Sequence, residues 1–358
     1  MALQFFSTLL CVAMLLASHN VHAQDDGKMA AMPNKKPIVE KNKTATEKSE
    51  EAVPEEGADD VVVKKPISAI GSMKKVTAKY EDTLVHMARA HNLGFIEIRA
   101  ANPHLDPWIP GEGAEVILPQ MHILPDAQRK GVVINLPEMR LYYYQDPAQD
   151  PISLPIGVGR EGLATPMGKT TVVRKKAAPT WRPTQRMRDE DPELPAVVEA
   201  GPENPLGDYA LYLGWPTYLI HGTNKPYGIG RRVSSGCIRM YPEGIEKLFS
   251  RVPVGTQVNV INQPIKTAWV DDTLYLEAHV DLEDALTMEK DGVLPDYDVD
   301  EQDIADIMEV AGEDAQDIDW DIIKNTLRKR QGYPVEIARR APGHPSDDET
   351  KPASSSEE

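Results

Sequence analysis

Between residues 131 and 262 glycine and proline cut the chain into short apolar runs, and this punctuation constrains the fold more than any other feature. GVVINLPEMRLYYYQ reads as two strands turning at Pro137-Glu138, and ISLPIGVG, KTTVVRKK, YALYLGW, TYLIHGT and TQVNVINQ follow as further strands. One main helix interrupts them, EGIEKLFSRV, with Ile245, Leu248, Phe249 and Val252 on its apolar face. The stretch 130–265 is therefore expected to be a mostly β domain, a sandwich or barrel-like closed sheet, large enough for its own core.

The flanks differ in kind. Residues 1–23 hold an apolar run from Phe5 to Ala17 and a small-residue stop at Val21-His22-Ala23. About thirteen residues span about 20 Å as helix, short of a bilayer core of about 30 Å, so a cleaved signal peptide is expected, and with it a periplasmic location. Residues 24–72 are Lys, Glu, Ala and Pro with few aromatics, a disordered linker that cannot bury enough to offset its ordering entropy. Residues 73–120 read β-α-α-β: a strand at Val76–Tyr80, Asp82 as N-cap, a helix carrying Leu84, Met87, Ala88 and His91, a second through Phe95–Ala101, and a strand at Glu115–Leu118. Residues 266–340 are acidic and helix-prone, with IADIMEV and WDIIKNTLRKR as amphipathic candidates, and 341–358 read as a disordered tail.

The formal net charge of −17 argues against nucleic acid as a partner. No residue cluster has a convincing metal-ligand pattern, and no cofactor is expected. Cysteine is more informative. Cys11 is lost with the signal, so Cys237 is left alone in an oxidising compartment, where it is a reactive thiol, an intermolecular bridge or a buried inert side chain. His221 ends an apolar strand sixteen residues earlier, within reach if strand end and loop meet. An imidazole beside the thiol holds it as a thiolate ion pair. Gly236 permits a backbone turn that aims N–H groups at an oxyanion, and Arg231, Arg232 and Arg239 are expected to surround the thiol with positive charge. The long loop 180–207 reads as a lid or groove wall, with Trp181 and Arg182 as groove residues.

Two resemblances follow from these residues. The segment 73–120, through Asp82-Thr83-Leu84, Asn102-Pro103 and Val116-Ile117-Leu118-Pro119, resembles a lysin-motif (LysM) module, although Glu81 replaces the usual glycine. His221-Gly222-Thr223-Asn224, Ser234-Ser235-Gly236-Cys237-Ile238-Arg239-Met240 and Thr165-Pro166-Met167-Gly168 strongly resemble the L,D-transpeptidase catalytic domain of bacterial cell-wall enzymes. The first resemblance implies binding to peptidoglycan glycan strands. The second implies Cys237 as nucleophile, His221 as base, Gly222 as the carbonyl orienting the imidazole, and Gly236 and Cys237 as oxyanion donors. It further implies a substrate site shaped by Ser234, Ser235, Arg239, Thr223 and Asn224, acting on tetrapeptide stems through a thioester. Many members carry His where Ser235 stands. The product is either a 3→3 cross-link or attachment of an outer-membrane lipoprotein. A non-catalytic wall-binding scaffold and a Cys peptidase or sortase-like enzyme are the competing readings.

Overall fold

The computed structural model describes residues 67–313 and 318–340. The signal peptide read at 1–23, most of the linker read at 24–72 and the tail at 341–358 lie outside the described residues. The first described segment carries β1 (Ala69–Ile70), β2 (Lys74–Thr77), α1 (Leu84–Ala90), α2 (Phe95–Ala101), β3 (Glu115–Leu118) and β4 (His122–Ile123). The linker reading fails at its end: β1 pairs with β4, and Ile67 and Ile70 pack against Leu124, Val133 and Tyr142. Two isoleucines in a polar stretch provide the apolar area that orders it.

The β-α-α-β order holds, with β2 and β3 antiparallel and Leu84, Leu93, Ile98, Val116 and Leu118 packed together. Two details differ. The first strand stops at Thr77 because the Asp82 carboxylate accepts from Lys79 N–H and closes a turn that leaves Tyr80 84 % exposed. With Asp82 so engaged, the N-cap is Thr83, whose hydroxyl accepts from His86 N–H at 3.1 Å.

The middle segment supplies β5 (Gly131–Asn135), β6 (Arg140–Tyr144), β7 (Ile152–Gly159), β8 (Gly168–Ala177), α3 (Gln185–Glu190), β9 (Tyr209–Leu213), β10 (Leu219–His221), β11 (Arg232–Ser234), β12 (Ile238–Met240), α4 (Pro242–Arg251) and β13 (Gln257–Ile261). The strands run β7, β12, β10, β9, β8, β13, β5, β6, and β6 pairs back onto β7, so the sheet closes as a barrel-like wall, with β11 attached to β7. Inside lie Ile134, Ile156, Leu211, Ile220, Ile238 and Val260. Helix α4 starts on Pro242, where a missing N–H costs nothing, and buries Ile245, Leu248 and Val252 against that core.

The C-terminal region is not helical throughout. It carries β14 (Ile265–Val270), β15 (Thr273–Ala278), α5 (Ala285–Asp291), α6 (Glu301–Ala311), α7 (Trp320–Lys329) and β16 (Val335–Arg339), the strands forming an antiparallel sheet in the order β14, β15, β16. Asp271, at φ +53°, makes the hairpin turn between β14 and β15. Helices α6 and α7 cover the sheet through Ile307, Ile323 and Leu327 on Leu274, Leu276 and Ile337.

A buried ionic joint links these segments within one compact unit. Lys266 Nζ lies 2.7 Å from Glu138 Oε1 and 3.0 Å from Glu277 Oε1, and donates to the Ile123 carbonyl at 2.6 Å. Arg140 holds Glu97 of α2 at 2.8 Å, and Glu277 accepts from Ile123 N–H. His122, Glu138 and Glu277 bring ligand atoms within 4.8 Å of one another, but the Lys266 ammonium already supplies the positive charge there. No described helix is long and apolar enough to cross a membrane.

Candidate active site

The barrel register sets the site. Lys176, Ala210, His221 and Arg239 stand abreast on β8, β9, β10 and β12, and Arg174, Tyr212 and Leu219 form the next row. Leu211, Ile220 and Ile238, between the rows, face the core. Side chains alternate along a strand, so Cys237, two residues before Arg239, shares the face of His221 rather than the opposite one. Both line one cavity of 530 Å³, with Tyr212, Thr217, Leu219 and Arg239.

The His221 ring is almost fully buried, and its Nδ1 lies 2.6 Å from the Gly222 carbonyl oxygen. A carbonyl only accepts, so Nδ1 carries the proton and Nε2 presents a lone pair. Burial, then the Arg239 charge, lowers the His221 pKa to about 4, while the Gly222 and Leu206 carbonyls pull the other way. The imidazole is therefore neutral at pH 7 and able to accept a proton.

The thiol departs from the expected ion pair. Burial pushes the Cys237 pKa up, more than the Leu219 N–H and the Arg239 charge bring it down, so the resting group is a thiol. It donates to the Thr217 carbonyl at 3.4 Å. Thr217 is β-branched with φ +70°, a conformation that stores strain and here aims that carbonyl at the sulfur.

A short network shapes the turn before the thiol. Ser234 Oγ donates to the Cys237 carbonyl at 2.5 Å and accepts from Gly236 N–H at 3.2 Å, and Thr165 Oγ1 donates to the Gly236 carbonyl at 2.9 Å. The Gly236 N–H expected to face an oxyanion is thus engaged by Ser234. Gly236 has φ +103°, and a Cβ there would meet Tyr218 Cε1 at 2.8 Å.

The remaining expected residues divide. Ser234, Ser235, Arg239, Trp181 and Arg182 line the cavity. Thr223 and Asn224 do not: Thr223 Oγ1 accepts from Lys225 N–H, and Asn224 donates to the Glu203 carbonyl, so the pair fixes the loop. Nor do Arg231 and Arg232 surround the thiol. Arg231 pairs with Glu289 and stacks 3.7 Å over Phe95, and Arg232 donates to the carbonyls of Leu282 and Gly159. The C-terminal region therefore props the loop before Cys237 from behind, and none of its described residues lines the cavity. The loop 180–207 forms a wall through Thr180, Trp181, Arg182, Thr184 and Met187, pinned by Trp181 against Val198 and by Asn204 against the Pro179 carbonyl. Arg174, Lys176, Tyr212 and Thr217 were missed. Strand alternation in KTTVVRKK was the available signal, since it places Arg174 and Lys176 on one face.

The L,D-transpeptidase catalytic-domain family YkuD matches residues 129–260, which include His221 and Cys237. The chain is 40% identical over 277 residues to the protein named probable L,D-transpeptidase YbiS of Escherichia coli K12, covering 75% of this chain and 88% of that one. It is 41% identical over 278 residues to probable L,D-transpeptidase ErfK/SrfK of the same strain, covering 75% and 87%. It is 39% identical over 269 residues to probable L,D-transpeptidase YcfS, covering 72% and 81%. With relatives this similar over most of both lengths, the chain belongs to the L,D-transpeptidase family of enzymes.

Proposed function

We propose that this enzyme works outside the cytoplasm on the tetrapeptide stems of peptidoglycan, with Cys237 as nucleophile and His221 as general base. The sulfur attacks the carbonyl of the third stem residue as Nε2 takes the thiol proton. The imidazolium returns a proton to the departing amine, the terminal D-residue leaves, and a thioester remains. An acceptor amine then displaces the sulfur. An amine from another stem gives a 3→3 cross-link; a lysine of an outer-membrane lipoprotein gives a wall tether. The N–H of Cys237 serves the oxyanion, and Ser234 and Thr165 hold the turn that presents it. The observation that carries this reading is the neutral, Nδ1-protonated imidazole and the thiol lining one cavity.

We read residues 73–120 as a LysM module that holds glycan strands. Tyr80 and Trp108, 84 % and 58 % exposed on loops flanking its two helices, support this, because exposed aromatics outside a core are suited to ligand contact. A signal peptide at 1–23 fits export.

The test is intact-protein mass spectrometry after mixing with a tetrapeptide donor in the absence of amine. The tripeptide acyl group is expected on Cys237, with one D-residue released per adduct. Absence of an adduct, or equal use of pentapeptide, refutes the reading. Gly236→Ala should lower kcat/KM by about 100-fold, because the new Cβ displaces the nucleophile turn, and should cost about 2 kcal/mol in thermal unfolding.

A further inference from the structure

The active cavity is cationic in an acidic protein. Arg174, Lys176, Arg182 and Arg239 line it, and no lining residue is Asp or Glu, although the chain carries 56 acidic against 39 basic residues. Cations nearby are neutralised: Arg160, just after β7, and Arg186, on the wall loop, share Glu190. Those of the cavity are not. Among the described residues no carboxylate pairs with Arg174, Lys176 or Arg182, and the contact fixing Arg174 is aromatic, its guanidinium carbon 3.5 Å from the Tyr212 ring centre. That seat orients the planar fork while leaving its donors for a ligand.

We propose that Arg174 and Lys176 form a carboxylate subsite that reads the free C-terminus of the acyl donor, one residue beyond the scissile carbonyl. The inference rests on the transpeptidase reading and names what selects its donor. Arg174 lies three strands from Cys237, about 14 Å between backbones. Leaning onto Tyr212 brings its guanidinium about one strand spacing, some 5 Å, closer. A bidentate carboxylate and the thiol's own approach to the carbonyl take up most of the remainder, leaving a gap that one extended residue, about 3.5 Å, fills. Lys176, in the row of His221, flanks the same point. A donor longer by one residue carries its charge past both cations, so the subsite measures stem length by the position of its terminal charge.

The experiment compares a tetrapeptide donor with a free C-terminus against the same peptide amidated there. Wild type is expected to prefer the acid by about 20-fold in kcat/KM, and Arg174→Gln/Lys176→Gln to reduce that preference to about 2-fold. Calorimetric binding of both peptides to Cys237→Ala protein, with and without the two substitutions, reads the same preference without turnover. Equal use and equal binding of acid and amide by the parent proteins overturn the proposal, as does a preference that survives in the double variant. Acid-selective binding that the double variant abolishes, together with no release of the D-residue by wild type, keeps the carboxylate subsite and overturns the transpeptidase reading instead.

Discussion

Replacing Cys237 by alanine is expected to lower acyl transfer by on the order of 10⁴-fold or more, because the proposed mechanism places the covalent intermediate on that sulfur and the cavity holds no second thiol. His221→Ala should cost about 10³-fold, and the residual rate should rise with pH, following ionisation of a thiol that burial holds above its usual range. Wild type should behave differently at acid pH. With the imidazole pKa near 4, kcat/KM should stay level from neutrality down to about pH 5 and fall only as Nε2 gains its proton. An acid limb near pH 6.5 would show that burial leaves the imidazole at its ordinary pKa. The same burial has a consequence for stability. Between about pH 6.5 and pH 4 the unfolded chain binds a proton at His221 that the folded protein excludes, so stability falls as pH falls through that window. His221→Gln should remove that part of the acid sensitivity, as urea unfolding at pH 7 and pH 4.5 would reveal.

The barrel was legible because its strands are short, alternating and marked by Gly and Pro, a local signal that no distant contact overrides. The two-residue period that puts Ile220 and Ile238 inward puts His221 and Arg239 outward, on the face of the cavity that Cys237 also lines; spacing alone gave their reach only on the condition that strand end and loop meet. What was misread depended on partners far along the chain. Arg231 and Arg232 lie near Cys237 in sequence, yet contacts with Glu289 and Leu282, some fifty residues on, turn them away from it. Arg174 and Lys176, more than sixty residues before the thiol, are brought to it by two intervening strands. The protonation state was misjudged for a related reason: charge was counted from sequence neighbours, whereas burial, invisible in sequence, decides both the imidazole and the thiol. In the C-terminal region acidic composition suggested helix and hid the alternation of IKTAWVDDTLYLEA, which forms a hairpin with one face under α6 and α7.

Lys266→Met is expected to destabilise the protein by about 4 kcal/mol and lower Tm by roughly 10 °C. Lys266 is 1% exposed and faces two carboxylates that are 0% exposed, so its loss strands Glu138 and Glu277 together out of water. Burial opposes charge on Glu138, yet Lys266 and His279 hold its pKa below the usual carboxylate range; that contribution is present above the unfolded pKa and is lost as pH falls through the folded one. Without the ammonium the sign reverses. Burial then raises the Glu138 carboxyl with no ammonium to oppose it, a proton is taken up on folding, and the deficit widens as pH rises from about 5 to 8. Glu138→Gln in the Lys266→Met background removes one stranded charge and should recover part of the loss, since breaking a buried pair costs more than replacing it whole. Because Lys266 and Glu277 belong to the C-terminal sheet and Glu138 to the turn joining β5 and β6 of the barrel, protease cleavage between residues 262 and 273 should accelerate in the variant. A Lys266→Met protein as stable as wild type at pH 7 would mean that apolar packing alone joins the two sheets.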